Sequence, residues 1–194
     1  MNIANLLTLL RLILIPIILS LMLGAFSLSG TVGTLGGETI SVRDALASFL
    51  FVLAALTDFL DGYLARKYRL ITDFGKFLDP LVDKMLVLGV LVALVELGRV
   101  GSFVVFLILL REFAVSGLRM LAAARGTVIA ASGGGKIKTT LQLIAVLMLM
   151  LVPHAFPVAG VSLGTWLLYA ATFLTLYSGG VYFWTHRSLF KGEL

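Results

Sequence analysis

Thr57-Asp58-Phe59-Leu60-Asp61-Gly62-Tyr63-Leu64-Ala65-Arg66, followed after a short basic segment by Gly75-Lys76-Phe77-Leu78-Asp79-Pro80-Leu81-Val82-Asp83, carries four of the chain's ten acidic residues. Asp58 and Asp61 are three apart and Asp79 and Asp83 four apart, so on helices each pair shares one face. The apolar residues around them form long runs rather than the alternation of a strand. The basic segment between them is short, so the two helices reverse direction there and the two acidic faces can meet at one level.

Working outward from this point, the rest of the chain is unusually apolar. Of its 194 residues 60% are hydrophobic and 13% charged, too little polar surface to solvate a water-soluble domain of this length. A bilayer span needs about 20 apolar residues. Several segments meet that need, and six apolar stretches can be read, at residues 3–25, 43–65, 77–97, 103–124, 137–152 and 163–184. The predicted fold is therefore all-α, a single transmembrane domain of six helices over residues 1–194. Residues 27–41, rich in Gly, Ser and Thr, read as an exposed loop. Residues 98–102 and 153–160 read as short turns, and 126–135 as a flexible connector. No basic residue precedes the first apolar run and no clear cleavage pattern follows it, so it is expected to remain as a span.

Charge orients the bundle. Arg66, Lys67, Arg69, Lys76, Arg125, Lys136, Lys138, Arg187 and Lys191 fall on the side of the two termini, against Arg43 and Arg99 on the other. The excess of Lys and Arg places both termini in the cytoplasm. The net charge of +5 is thus read as topology and anion binding rather than contact with nucleic acid. Cysteine is absent, which excludes disulfides, thiolate metal sites and cysteine nucleophiles.

Four carboxylates gathered at one membrane depth repel one another, and ionisable groups within a membrane are expensive enough to be functional by default. A cation should sit among them. All-oxygen ligands favour Mg2+ or Mn2+, and a pair of such ions recurs in phosphoryl-transfer sites. Gly62, next to Asp61, lets a bulky substrate approach the backbone. Ala65 and Gly75, each one turn from an aspartate, leave room on the same faces, and Arg66 offers a forked donor for a phosphate. Taken singly, each of these has a plain structural explanation: Asp-Pro at a helix start, or Gly and Ala where helices pack closely. The whole array does not.

A second polar group lies in the fourth stretch. Arg111-Glu112 is followed by Ser116 and Arg119. The arginines are two turns apart, about 12 Å of helix rise. Arg111 lies too deep to reach the interface and should face a polar cavity, with Glu112 holding or orienting an arginine. The fifth stretch opens Gly135-Lys136-Ile137-Lys138-Thr139-Thr140, placing two lysines beside a helix N-terminus, which favours anions. Arginines on one wall and lysines on another suit a substrate that carries its own phosphate. Asn5, Thr8 and Arg11 are spaced to share a face of the first helix.

Asp58, Asp61, Gly62, Ala65, Arg66, Gly75, Asp79 and Asp83 match, position for position, the signature of the CDP-alcohol phosphotransferase family, which this chain resembles. The resemblance implies six transmembrane helices, usually as a homodimer, with a two-metal site open to the cytoplasm. It implies Asp58, Asp61 and Asp79 as metal ligands and Asp83 as a metal-adjacent catalytic base for the acceptor hydroxyl. It also implies Gly62, Ala65 and Arg66 as the wall against the cytidine diphosphate. The Arg-Glu with downstream Arg, the Gly-Lys-x-Lys-Thr-Thr run, and the opening Asn5-Leu6-Leu7-Thr8-Leu9-Leu10-Arg11 with Ile15-Pro16 resemble its phosphatidylglycerophosphate synthase branch. That branch implies CDP-diacylglycerol as donor, bound by Asn5, Thr8, Arg11, Gly62, Ala65, Arg66 and Gly75. It implies glycerol 3-phosphate as acceptor, its phosphate met by Arg111, Glu112, Arg119, Lys136 and Lys138. A bacterial cytoplasmic membrane is the expected setting, with lipids around the spans. The competing readings are another acceptor in the same family (inositol phosphate, serine or phosphatidylglycerol) and, in a different class, a cation transporter. A transporter would hold its carboxylates near the midplane beside broken helices, whereas here they cluster near one face.

Overall fold

Long runs of Leu, Ile, Val and Ala with few interior breakers form helices, and the glycines between them set where the chain turns. In the computed structural model these runs become α1 (Ile3–Met22), α2 (Val42–Tyr68), α3 (Asp73–Glu96), α4 (Ser102–Ala124), α5 (Gly135–Leu151) and α6 (Leu163–Thr185). The structure describes residues 3–68, 73–124, 126 and 135–187, and the side chains of residues 6–57, 81–82, 84–124, 126 and 138–187. The expected six helices are all present, with α2 and α3 longer than the stretches read from the sequence. Because α3 begins at Asp73, Pro80 lies within the helix rather than at its first turn.

The helix contacts close into a ring. α2 packs on α1, α1 on α3, α3 on α4, α4 on α6, α6 on α5 and α5 back on α2, while α3 also reaches α5 across the ring. One apolar core runs through it, with Ile18, Phe51, Val90, Leu91, Leu94, Ile108, Leu149 and Leu168 all but sealed from solvent.

Residues 27–41 are more ordered than the exposed loop expected of them. β1 (Thr31–Leu35) and β2 (Glu38–Ser41) form an antiparallel hairpin, with Leu35 opposite Glu38 and a register irregularity between Thr31 and Gly33. The turn is Gly36-Gly37 at φ +60° and +87°, the backbone that a two-residue hairpin needs and glycine supplies without strain. The hairpin is tied to the α5–α6 turn, where the His154 amide donates to the Glu38 carboxylate at 2.9 Å. A Cβ at Gly36 would stand 2.7 Å from that of Ala155, so the two loops meet closely there.

The outside of the ring is apolar and parts of its inside are polar. Phe103, Phe106, Phe113, Met120, Phe173, Tyr177 and Trp184 are exposed, while Thr8, Arg11, Lys138, Gln142 and Thr175 are buried. Among the described residues no helix is long and apolar enough to cross a membrane. α4 interrupts its apolar sequence with Arg111, Glu112 and Arg119, and α1, α2, α3 and α5 have described side chains over only part of their length.

Candidate active site

The aspartates are carried by two helices joined through residues 69–72. Asp58 and Asp61 lie on α2, Asp79 and Asp83 on α3, so the helical backbone gives each pair a common face. Their side chains lie outside the described residues, as do Asn5, Gly62, Ala65, Arg66, Gly75 and Lys136. Among the described residues no group of three or more His, Asp or Glu could hold a metal ion. The donor chemistry of the four aspartates fits a hard divalent cation, since oxygen is their sole ligand atom.

α1 supports this end of the bundle from the side. Thr8 and Arg11 are 1% and 0% exposed, whereas Leu6 and Leu10 face outward. An enclosed guanidinium must have polar company, and α1 packs on α2 and α3, the helices that bear the aspartates. Thr57, just before Asp58, is buried and donates to the Ala54 carbonyl at 2.7 Å. This ties its hydroxyl back to its own helix.

The basic group centres on Glu112. One carboxylate oxygen, Oε1, accepts from Arg111 Nη1 and from Lys138 Nζ, each at 2.8 Å. The Ser116 hydroxyl, one turn along, donates to the Glu112 carbonyl at 2.8 Å and accepts from the Lys84 ammonium. α4 and α5 thus meet at one carboxylate, and α3 joins the group through the Ser116 hydroxyl. Three cations stand against one anion among these described residues, leaving two positive charges unmatched, the balance that a phosphate monoester dianion would restore.

α6 completes the group. Arg111 Nε donates to the Thr175 carbonyl and Nη2 to Ser178 Oγ, both at 3.1 Å. Gly179 gives the side chain its room, because a Cβ there would lie 2.9 Å from Arg111 Cγ. Arg119 also turns to α6, but farther along. Its Nε donates to the Tyr182 hydroxyl at 3.3 Å, with the guanidinium carbon 5.7 Å from the ring centre. The structure therefore brings Arg111, Glu112 and Lys138 together and places Arg119 against Tyr182.

Sequence reasoning missed Lys84, Ser178 and Gly179. Lys84 had a signal, a lone cation entering an apolar run directly after Asp83. Ser178-Gly179-Gly180 had a weaker one, since small residues in an apolar helix more often mark close packing.

Comparison with known proteins agrees with the family that the sequence resembles. The family model for CDP-alcohol phosphatidyltransferase matches residues 1–177. A Bacillus subtilis protein named CDP-diacylglycerol–glycerol-3-phosphate 3-phosphatidyltransferase is 43% identical over 182 residues, 94% of this chain and 93% of the relative. A Rickettsia felis protein of the same name is 38% identical over 183 residues, covering 94% and 93% of the two chains. A probable phosphatidylglycerophosphate synthase of Mycobacterium tuberculosis is 43% identical over 145 residues, 75% of this chain and 64% of that one.

Proposed function

The chain belongs to the CDP-alcohol phosphatidyltransferase family, and from that premise we propose how its residues divide the work of one reaction. It is a transferase of phospholipid biosynthesis, a CDP-diacylglycerol–glycerol-3-phosphate 3-phosphatidyltransferase. A hydroxyl of glycerol 3-phosphate forms a bond to the phosphorus that carries the diacylglycerol. The bond from that phosphorus to CMP breaks, giving phosphatidylglycerol phosphate and CMP.

The observation in the fold that carries this reading is the surplus of positive charge around Glu112. Among the described residues, an acceptor without a phosphate would leave two partly buried cations uncompensated. Lys138, with Lys136 at the same helix start, receives the acceptor's phosphate. Arg111, Glu112 and Arg119 belong to the same wall. Asp83 takes the proton of the attacking hydroxyl, as a positioned carboxylate can. Asn5, Thr8, Arg11, Gly62, Ala65, Arg66 and Gly75 hold the donor. The burial of Thr8 and Arg11 beside the aspartate-bearing helices supports that assignment. Two Mg2+ or Mn2+ ions, held by Asp58, Asp61, Asp79 and Asp83, would neutralise the donor's pyrophosphate oxygens.

The six helices cross the bacterial cytoplasmic membrane with both termini and the aspartates at the cytoplasmic face, and the protein works as a homodimer among lipids. The ring of outward Phe, Met, Tyr and Trp supports the crossing, since apolar area of that extent marks a lipid or protein contact. CMP release by purified protein, given CDP-diacylglycerol, Mg2+ or Mn2+ and a panel of acceptors, tests the assignment. Turnover with glycerol 3-phosphate and none without a divalent ion is expected. Turnover with free serine or inositol alone would move the enzyme to another branch, and full activity in excess chelator would overturn the metal centre.

A further inference from the structure

Arg111 sits in the basic wall, yet each of its three guanidinium nitrogens already donates to a protein acceptor. These are Thr175 O, Ser178 Oγ and Glu112 Oε1. A guanidinium held in this way by two helices is poorly placed to turn toward a substrate. The same geometry raises a question about Glu112, because a carboxylate inside a phosphate pocket repels the ligand. Glu112 spends its charge on two neighbours through a single oxygen, at 2.8 Å from both Arg111 and Lys138. Lys138 is a point charge on a flexible stem with many rotamers, and Glu112 is the anchor that selects one.

We propose that Arg111 is a positioning residue. Held by Thr175, Ser178 and Gly179 of α6, it fixes the Glu112 carboxylate, which fixes the Lys138 ammonium that meets the acceptor's phosphate. The proposal rests on the reading of Lys138 as a phosphate contact. It makes the last helix of the bundle, which carries none of the signature aspartates, a determinant of acceptor affinity. Gly179 is central to it, because any side chain there displaces Arg111 at its Cγ. The chain of contacts runs from α6 through α4 to α5, so a change on α6 should be felt by the acceptor and not by the donor.

A double-mutant cycle separates action through Glu112 from direct contact. The full-length enzyme is assayed for CMP release in detergent micelles, varying glycerol 3-phosphate and CDP-diacylglycerol in turn. Glu112→Gln and Arg111→Gln should each raise KM for glycerol 3-phosphate roughly tenfold, the scale of one charge-assisted hydrogen bond. The double variant should be no worse than either single one, and KM for CDP-diacylglycerol should stay unchanged throughout. Losses that multiply to about a hundredfold would place Arg111 on the phosphate itself and overturn the proposal. Equal rises in both KM values would reduce the contact to simple packing and overturn it as well. Gly179→Ala and Ser178→Ala, each alone and combined with Glu112→Gln, give the same reading if Arg111→Gln does not fold. The premise has its own arm: an unchanged KM for glycerol 3-phosphate in Lys138→Met would remove Lys138 from the phosphate, whatever the cycle returns.

Discussion

A carboxylate that accepts from two cations through one oxygen, as Glu112 does, is a residue whose surroundings decide its role. Alone it would repel a phosphate. Between Arg111 and Lys138 it would, on the proposed reading, order the charges that attract one. The aspartates pose the reverse case in the proposed site, four like charges that a bound divalent ion would reconcile. Substituting Asn at either Asp61 or Asp83 keeps size and removes one charge. Asp83→Asn also removes the proposed base, a loss on the order of a thousandfold in kcat. Asp61→Asn should give a comparable loss, relieved in part by raising the metal concentration, because it weakens a ligand and not the base. Steady-state CMP release across a metal titration distinguishes them. An Asp83→Asn enzyme restored by excess metal would show that Asp83 is a ligand alone.

At the scale of elements, the end of the bundle away from the aspartates is held by a small set of caps. Ser41 accepts the Asp44 amide at 3.0 Å, and its hydroxyl donates back to the Asp44 carboxylate at 2.8 Å, closing the first turn of α2. Arg99, in the turn between α3 and α4, joins this cap to the end of α5. It donates to both Asp44 carboxylate oxygens, at 3.1 and 3.2 Å, and to the Met150 and Leu149 carbonyls at the end of α5, at 2.7 and 3.2 Å. Its charge lies where the α5 dipole is negative, and both partners are mostly enclosed. Arg99→Met should therefore destabilise the bundle by about 3 kcal/mol, the scale of breaking an enclosed pair and leaving one member alone. KM for both substrates should be unchanged. Denaturation in detergent micelles measures it, and an unaltered midpoint would mean that solvent replaces the arginine at no cost. The sequence pointed to Arg99 only as a charge on the sparsely basic side. Its partners at 44 and 150 are too distant in the chain for any local pattern to reveal.

For the whole molecule, apolar side chains cover much of the outside as well as the core. Arg11 is sealed inside beside an apolar core while Phe103, Phe173 and Trp184 face out, as the proposed setting among lipids requires. The absence of cysteine allows the orientation to be read with a single introduced thiol. Val32→Cys, on the exposed hairpin, should react with an impermeant maleimide in intact cells, because the hairpin lies on the side opposite the termini. Labelling only after lysis would reverse the bundle and turn the aspartates outward. The number of helices, their approximate limits and the placing of two aspartates on each of two successive helices were legible in the chain, because apolar runs and three- and four-residue spacings are local properties of a helix. The hairpin was not, because a glycine pair marks a turn without saying which strands it joins. The composition of the basic wall was not either. A helix's period determines which residues share its face but not which helix that face meets. Lys84, Glu112, Lys138 and Ser178 lie on four separate helices. Only the closing of the ring, which seats α4 between α3 and α6, decided that Arg111, Glu112 and Ser116 of α4 would link them.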